Sequence, residues 1–398
     1  MESITPFPKT ATHPRAARAT TLPWTVATML LGSTSIIVGL IWDISWHMTI
    51  GRDTFWTPAH MAVYLGGVLA GLSGGWLALH TTFAGTADER AVTVRFWGFR
   101  APLGAWVAIW GALAMLTSAP FDDWWHSAYG LDVKIISPPH MVLAAGMIAI
   151  QIGAMLLVLA LQNRAAAGET GGESRVLGTA FLYAAGVVLL MLASVLMEDS
   201  YPNAQHGAHF YRASCLVYPV LLAAVARASR LRWAATKTAL FYTVLSLAMV
   251  WILPLFPAQP KLAPINLPLD HMAAPLFPLL LIVPACTIDL ILQRRSGTGA
   301  RRARWWTAPL LATAFLALFL AVQWPFSKFL LSPAAQNAVF AGDRHWDYSR
   351  VPGDWMTQYW HKNRPPMTPR AAGAAWLIAA VSAQVGLGLG AWMARVQR

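Results

Sequence analysis

Residues 43–60 read Asp-Ile-Ser-Trp-His-Met-Thr-Ile-Gly-Arg-Asp-Thr-Phe-Trp-Thr-Pro-Ala-His and separate two long apolar runs of the chain. Asp43 and His47 are four residues apart, so on a helix their side chains project from one face, a turn from each other. His60 follows after a turn that contains Gly and Pro. We therefore expect one carboxylate and two imidazoles to converge at the end of a helical hairpin, which is typical of a metal site.

The same polar pattern occurs a second time. Asp43, His47, Gly51, Asp53, Pro58 and His60 recur as Asp122, His126, Gly130, Asp132, Pro139 and His140, with one extra residue before the last histidine. Repetition of a whole set of polar residues predicts an internal repeat. We interpret the two copies as the functional core of the protein.

The composition indicates the class of protein. Of the 398 residues 57% are hydrophobic and 12% charged, and the mean hydropathy is +0.49, which indicates an integral membrane protein. The net charge of +12 comes from short basic clusters between apolar runs, so it indicates membrane topology rather than a nucleic-acid partner. Both cysteines, Cys215 and Cys286, lie in apolar runs and predict neither a disulfide framework nor a cysteine-based metal motif.

The apolar runs are long enough to cross a bilayer as helices of about 20 residues. About ten are predicted, near 24–49, 60–83, 101–121, 139–162, 177–197, 209–226, 238–257, 272–293, 306–325 and 371–394. Helices satisfy their own backbone hydrogen bonds in lipid. The predicted fold class is therefore an all-α polytopic membrane bundle of five hairpins, with the metal-ligand connections facing outward.

These spans divide the chain into five parts. They are a cytoplasmic N-terminal tail (1–23), a four-helix repeat unit with both metal sets (24–163), further transmembrane hairpins (164–325), an extracytoplasmic cap loop (326–370) and the last transmembrane helix with a cytoplasmic C-terminus (371–398). Lys9, Arg15 and Arg18 precede the first apolar run, as in a signal peptide. That run is long and no small-residue cleavage site follows it, so we expect it to be retained.

Basic clusters lie in every second connection between the spans. Because basic residues accumulate on the cytoplasmic side, they place both termini in the cytoplasm. The connections that carry the histidines are then extracytoplasmic, and we expect the membrane to be the inner membrane of a bacterium.

Each copy of the repeat offers two imidazole nitrogens and one carboxylate. The predicted metal ligands, which are also the predicted catalytic residues, are Asp43, His47 and His60 in the first copy and Asp122, His126 and His140 in the second. Three-ligand sets leave coordination positions open, and copper, zinc and iron all accept them, with copper favoured by affinity. Asp53 and Asp132 are predicted either to orient a ligand imidazole or to cap the second helix of each hairpin.

Other acidic and histidine residues are weaker candidates. The foremost are Glu198, Asp199, His206 and His209, which predict a third metal or a proton path. His206 and His209 share a face only if their stretch is helical, which Gly207 disfavours. Lesser candidates are Asp270-His271 and, in the cap loop, Asp343, His345 and Asp347. The alternative for each is an anchoring or hydrogen-bonding residue at the membrane interface.

The first copy resembles a known signature. Trp42-Asp43-x-x-Trp46-His47, continued by Arg52-Asp53-Thr54 and Thr57-Pro58-x-His60, is similar to the C subunit of the copper-dependent membrane monooxygenases, the particulate methane and ammonia monooxygenases. The resemblance implies an Asp-x3-His-x12-His copper set at Asp43, His47 and His60. It also implies an adjacent copper set of the type Asn-x3-His-x13-His, which Asp122, His126 and His140 match with Asp in place of Asn.

The resemblance covers about residues 42–142, and the rest of the chain departs from the family. The C subunit is shorter and works beside partner subunits, one of them with cupredoxin-like copper domains, and no such segment is present here. The resemblance implies a copper enzyme that oxidises a small apolar substrate with O2, among membrane lipid and with other membrane or cupredoxin-like subunits. The residues alone leave open a zinc-dependent membrane hydrolase, a non-catalytic copper-binding or assembly subunit, and a heme bundle.

Overall fold

The computed structural model describes residues 22–130, 137–167, 175–262, 269–295, 306–335, 337–340 and 365–398. Helices dominate them. The α-helices are α1 (Trp24–Thr49), α2 (Pro58–Phe83), α3 (Ala87–Ala91), α4 (Leu103–Tyr129), α5 (Pro138–Ala167), α6 (Arg175–Val195), α7 (Met197–Ser200), α8 (Ala208–Ala228), α9 (Ala234–Ile252), α10 (Ile282–Arg295), α11 (Thr307–Leu330) and α12 (Pro369–Met393).

Nine of these helices, within the described part of the chain, are long and apolar enough to cross a membrane: α1, α2, α4, α5, α6, α8, α9, α11 and α12. They agree with nine of the ten predicted spans and support an all-α polytopic membrane protein. Among the boundaries that differ from the prediction, two change the place of predicted functional residues or of the cap loop. Helix α4 continues to Tyr129 and so includes two predicted ligands, and α11 continues to Leu330, into the stretch predicted as the start of the cap loop.

The prediction of a spanning helix over 272–293 is wrong for its first half. Residues 272–278 are extended and buried, a 3-10 turn follows at Leu279–Leu281, and α10 begins only at Ile282. Pro275 and Pro278 explain the difference, because proline lacks the amide hydrogen of a helical bond and its ring clashes with the preceding turn. Hydropathy alone does not register this interruption.

A small β-hairpin, absent from the all-α prediction, joins α3 to α4. Strand β1 (Val94–Phe96) pairs antiparallel with β2 (Phe99–Ala101). The turn between them consists of Trp97 and Gly98, both with positive φ, at 47° and 87°. Such a two-residue turn matches the twist of paired strands, and Gly adopts it without strain.

Helices α1, α2, α4 and α5 form one four-helix unit. Helix α1 packs against α2 and α5, and α4 packs against α5 and α2. If α4 and α5 are the second copies of α1 and α2, these contacts are equivalent pairs, as an internal repeat requires. The packing therefore agrees with the repeat predicted from the polar residues.

Each hairpin of this unit is held by a close approach of two glycines. A Cβ on Gly32 would lie 2.7 Å from the carbonyl oxygen of Gly66, and a Cβ on Gly111 would lie 2.7 Å from that of Gly146. Seventy-nine residues separate Gly32 from Gly111, the same interval as between the first aspartates of the two copies. The repeat therefore extends from the polar connections into the helix contact, because only glycine permits this backbone distance.

The remaining long helices form a second bundle. Helix α12 packs against α8 and α11, α9 packs against α6 and α10, and α6 joins this bundle to α5 and α1. Its core contains the fully buried aromatic side chains of Tyr211, Tyr218, Tyr242, Phe315 and Phe319.

Candidate metal centre

The first site lies where α1 ends and α2 begins. Asp43 and His47 stand on the last turns of α1, and His60 is the third residue of α2. The turn between the helices starts at Gly51, whose φ of 104° suits glycine. The amide of Gly51 and that of Ile50 both donate to the Trp46 carbonyl, which ends the helix just beyond its ligands.

The three predicted side chains of the first site converge, and Asp53 joins them. His60 Nε2 lies 3.1 Å from Asp43 Oδ1 and 2.9 Å from Asp53 Oδ2. His47 Nε2 lies 3.8 Å from Asp43 Oδ2 and 3.4 Å from Asp53 Oδ2. Asp43, Asp53 and His60 each offer a ligand atom within 4.8 Å of the other two, and this group contains Asp53 in place of the predicted ligand His47, which lies at its edge. The site therefore contains two carboxylates and two imidazoles.

Asp53 does not cap α2, so that alternative is wrong. The residue at the N-cap position is Thr57, and the Asp53 carboxylate instead faces both imidazoles. Burial by itself would raise the pKa of Asp53, but hydrogen bonds and charge from His47 and His60 outweigh it, and the pKa lies well below its usual range. Asp53 is therefore a permanent anion that can bind a metal directly.

The second site repeats this arrangement between α4 and α5. His126 Nε2 lies 3.3 Å from Asp122 Oδ2, and His140 Nε2 lies 3.5 Å from Asp122 Oδ1. The three residues offer ligand atoms within 4.8 Å of one another. Helix α4 ends at Gly130, whose φ is 96°, and His140 is the third residue of α5, as His60 is of α2.

One pairing of the predicted repeat is corrected. Pro58 corresponds to Pro138 rather than to Pro139, because both are the first residue of their helix and both precede the histidine by two positions. Pro is favoured at this position since the amide hydrogen that it lacks has no helical partner there. Asp132, the predicted counterpart of Asp53, lies outside the described residues.

Backbone carbonyls fix the orientation of one imidazole in each site. His60 Nδ1 lies 2.9 Å from the Thr54 carbonyl, and His126 Nδ1 lies 3.2 Å from the Gly130 carbonyl. A ring that donates its Nδ1 hydrogen to a carbonyl is held with Nε2 towards its other partners, and this nitrogen would bind a metal after losing its own proton. In both rings Nε2 is the atom that faces the carboxylates.

The distances between donor atoms fit a bound metal. Ligand atoms about 2.1 Å from a tetrahedral ion lie roughly 3.4 Å apart. The nitrogen-to-oxygen distances are 2.9–3.8 Å in the first site and 3.3–3.5 Å in the second. Four of these six distances exceed the upper limit of about 3.2 Å for ordinary N–H···O hydrogen bonds.

A matched pair of oxygen atoms also fits a metal. Asp43 Oδ1 and Asp122 Oδ1 are buried, and neither accepts a hydrogen bond of acceptable geometry from a described residue. A buried carboxylate oxygen without such a bond is costly, whereas a cation next to it would satisfy it. In both copies this oxygen faces Nε2 of the second histidine, at 3.1 Å and 3.5 Å, and a metal ion between the two atoms would satisfy both.

Tyr64 links the surroundings of the two sites. Tyr64, one turn after His60 on α2, has its ring 6.0 Å from that of His60 and interacts electrostatically with Asp43, Asp53 and Asp122. One phenol therefore lies near the carboxylates of both sites. The corresponding residue in the second copy is Ala144, so the repeat does not predict this residue.

The end of α1 is also held by a distant part of the chain. Lys261, in the connection after α9, donates through Nζ to the carbonyl of Thr49 at 2.7 Å, and the amide of Leu262 donates to that of Ile50 at 2.9 Å. A cation at a helix C-terminus stabilises its unpaired carbonyls. Sequence reasoning missed Lys261, because only the folded chain brings it to α1.

The weaker candidates are not brought together as a metal site in the described part of the chain. His206 is buried, with Nε2 3.2 Å from the Trp324 carbonyl and 3.1 Å from Ser327 Oγ, whereas His209 is exposed. Helix α8 begins at Ala208, so the two histidines do not share a helical face. Burial lowers the pKa of His206 to about 4, so it is a neutral core residue at neutral pH.

The other weak candidates lie in different parts of the chain. Asp199 belongs to the short α7, and the side chain of Glu198 lies outside what the structure describes. His271 pairs with Pro257 through an isolated β-bridge, and it is not grouped with the described metal-ligand sets. The predicted cap residues Asp343, His345 and Asp347 lie outside the described residues.

The chain matches no protein-family model, no curated protein and no solved structure. The geometry of the two sites is therefore the structural feature that bears on function.

Proposed function

We propose that this protein is a membrane metalloenzyme that holds two neighbouring metal ions, one in each polar connection of the repeat. The observation that carries the proposal is that a cluster of carboxylate and imidazole donors with metal-like spacing forms in both copies, from an aspartate and a histidine at the same helical positions, Asp43 and His60 in the first and Asp122 and His140 in the second. His and carboxylate side chains near a membrane interface are costly unless they are paired or bind a metal.

The residues of the two sites have distinct tasks in this proposal. Asp43 and Asp122 each bridge the two imidazoles of their own site. Thr54 and Gly130 carbonyls hold one imidazole of each site in the binding orientation. His47 and His140, 48% and 41% exposed, are the more accessible ligands, so solvent and substrate would reach each metal from their side.

We further propose that the metal is copper and that the reaction oxidises a small apolar molecule with O2. The resemblance to the C subunit of copper membrane monooxygenases supports this, as does the affinity of mixed nitrogen and oxygen sites for copper. Bound copper would supply one-electron chemistry towards O2. The apolar spans would supply substrate from the lipid phase, and partner membrane or cupredoxin-like subunits would supply electrons.

The proposed placement follows the distribution of basic residues. Both termini are cytoplasmic, the two sites face the extracytoplasmic side, and the membrane is the bacterial cytoplasmic membrane. Both sites lie at the same end of their hairpins, which supports a single side for both.

Metal analysis of the full chain, purified from membranes without chelator, tests the proposal. We expect about two copper ions per chain, and O2-dependent turnover that both His47→Ala and His126→Ala remove. His80→Ala is a suitable control, since His80 is exposed at the opposite end of α2. Unchanged metal content and turnover in both site variants would overturn the enzymatic proposal.

A zinc-dependent hydrolase is the second candidate, and Asp53 favours it. Its carboxylate lies 2.9 Å from a ligand imidazole, so it would stand beside a water that zinc activates and accept a hydrogen bond from it. Zinc at near-unit occupancy of the sites, with no copper, would select this function. Copper at both sites without any turnover would instead indicate a non-catalytic copper-binding or assembly subunit.

A further inference from the structure

Helix α12 has one face that points away from the rest of the molecule. Within residues 373–392 its exposed positions are Gly373, Leu377, Val381, Gln384, Val385, Gly388, Leu389 and Trp392. Their spacing of three and four residues places them along one side of the helix. The other side packs against α8 and α11. In a membrane this exposed stripe of α12 faces lipid or another helix.

The glycines of α12 fall into two sets. A Cβ on Gly386 would lie 2.4 Å from the Val220 carbonyl oxygen, so this glycine permits the close contact with α8. Gly373 and Gly388 lie on the exposed stripe, and nothing lies within 4 Å of a Cβ on either. Glycine is unfavourable inside a helix unless it permits a close approach. Packing within one chain therefore explains the first set and not the second.

Gln384 stands on the exposed stripe and deep in the membrane. It lies nine residues before Met393 and fifteen after Pro369, the two ends of α12. These intervals correspond to about 14 Å and 22 Å along the helix axis. Gln384 differs from the other carboxamides of the described spanning helices, which are all buried: Gln151, Gln162, Asn163 and Gln323.

Gln384 makes no hydrogen bond to a described residue of its own chain. It borders an open groove of about 340 Å³ between α11 and α12, whose other lining residues are Ala308, Pro309, Ala380, Val381 and Val385. None of these side chains can donate or accept a hydrogen bond. Lipid tails cannot do so either, and an unsatisfied carboxamide in an apolar medium is costly. A group from outside the chain would therefore satisfy Gln384.

A carboxamide both donates and accepts, so it is complementary to a second carboxamide. Copies of one chain insert into the membrane with the same topology. A two-fold axis along the membrane normal then places identical residues opposite each other at the same depth. A second copy of the chain is therefore the partner that supplies a carboxamide at the depth of Gln384.

We propose that the exposed stripe of α12 is the docking surface for a second copy of this chain. The two Gln384 side chains donate to each other across the two-fold axis, and Gly388 lets the two backbones approach. Small residues and polar side chains are the features that associate spanning helices. The interface lies in the second bundle and does not depend on the proposed metal centre.

Cysteine cross-linking of the full chain in its own membranes tests the surface. In a chain with Cys215→Ala and Cys286→Ala, we expect Leu377→Cys and Val381→Cys each to give a disulfide-linked product of twice the chain mass on oxidation with iodine. Val244→Cys, on the exposed side of α9, is the matched control and should give none. No such product at either position of α12, an equal yield in the control, or a link only to a different protein would overturn the proposal.

Variants measure the contribution of Gln384 and Gly388. Energy transfer between donor- and acceptor-labelled chains in liposomes, over a range of protein-to-lipid ratios, gives the dissociation constant. Gln384→Leu should weaken association by about 10-fold, and Gln384→Asn should keep most of it. Gly388→Leu should also weaken association, although one chain offers open space for the new side chain. Val244→Leu should change nothing. Unchanged association in both Gln384→Leu and Gly388→Leu would overturn the proposal.

Discussion

The hairpin of α1 and α2 and the hairpin of α4 and α5 place the same three donors at the same helical positions but differ in their surroundings. The first site has a second carboxylate, Asp53, and its helix end is held by Lys261. In the second site the structure describes Asp122 beside the two imidazoles, and Asp132, the predicted counterpart of Asp53, lies outside the described residues. Because a dication is bound more strongly by two carboxylates than by one, we expect Asp53 to add to the metal affinity of the first site.

The largest expected effect comes from the carboxylate that bridges the two imidazoles of each site. Asp43→Asn should lower the affinity of the first site by about 100-fold or more and leave the second unchanged, and Asp122→Asn should do the reverse. Elemental analysis would show the loss of one metal per chain in either case. Loss of both metals in one of these variants would show that the sites do not bind independently.

Asp53→Asn tests the difference in charge between the sites. We expect the first site to lose about 10- to 100-fold in metal affinity, while the affinity of the second site stays unchanged. Because the pKa of Asp53 is lowered, its contribution to stability is present above the unfolded-state value of about 3.9 and is lost as pH falls below it. Metal titration at neutral pH and acid unfolding would check the two effects. Equal metal affinity with and without Asp53 would contradict its role as a ligand.

Gly66→Ala tests the helix contact that the hairpins share. The new Cβ would lie 2.5 Å from the Gly32 carbonyl oxygen, so we expect a loss of about 1–3 kcal/mol in the free energy of unfolding. Gly75→Ala, where nothing lies within 4 Å, is the matched control and should be neutral. Unfolding in denaturant would measure both. Gly146→Ala should lower the free energy of unfolding by a similar amount in the second hairpin. An unchanged free energy there would show that the glycine contact does not stabilise the two hairpins equally.

Lys261→Met tests the support that the structure describes for the end of α1 at the first site. Loss of the ammonium from the carbonyl of Thr49 should loosen the end of α1 and lower the affinity of the first site by about 10-fold. Lys261→Arg should restore most of it. Competition titration that resolves the two sites is the measurement, and the second site is the internal control. A parallel loss at both sites would point to general destabilisation instead.

The smallest expected effect on metal content comes from substitution of His206. Unlike the histidines of the two sites, His206 is a buried core residue. His206→Gln should leave metal content unchanged. Since the pKa of His206 is lowered to about 4, the unfolded chain binds its proton first, and stability is lost as pH falls from about 6.5 towards 4. Over this pH range His206→Gln should lose up to about 2 kcal/mol less free energy of unfolding than the unmodified chain. Unfolding experiments at several pH values would measure the difference. Reduced metal content would instead favour the third site.

Much of the first four helices could be predicted from the sequence because the signals there are local. The spacing from Asp43 to His47 and the turn before His60 place the ligands without knowledge of the rest of the chain. The glycine pairs were also present in the sequence, at the same interval as the aspartates, but single small residues do not stand out in an apolar run. A search at the fixed interval would have found them.

The parts that could not be predicted depend on contacts between distant residues. Lys261 reaches Thr49 across 212 positions, and Asp53 approaches two imidazoles because the turn after α1 folds back. The extended segment before α10 is different, since Pro275 and Pro278 were visible in an apolar run. The hydropathy of this run correctly indicates an apolar environment. It does not indicate whether the backbone there is helical, which the two prolines prevent.

The contact of Lys261 with the end of α1 also bears on the order of synthesis. The second site consists of residues from neighbouring positions, 122–140, and can form once α5 has entered the membrane. The first site is translated earlier but keeps a free helix end until the connection after α9 arrives. During biogenesis the first copy therefore receives this supporting contact only after the described ligands of the second copy have been made, although it is itself translated first.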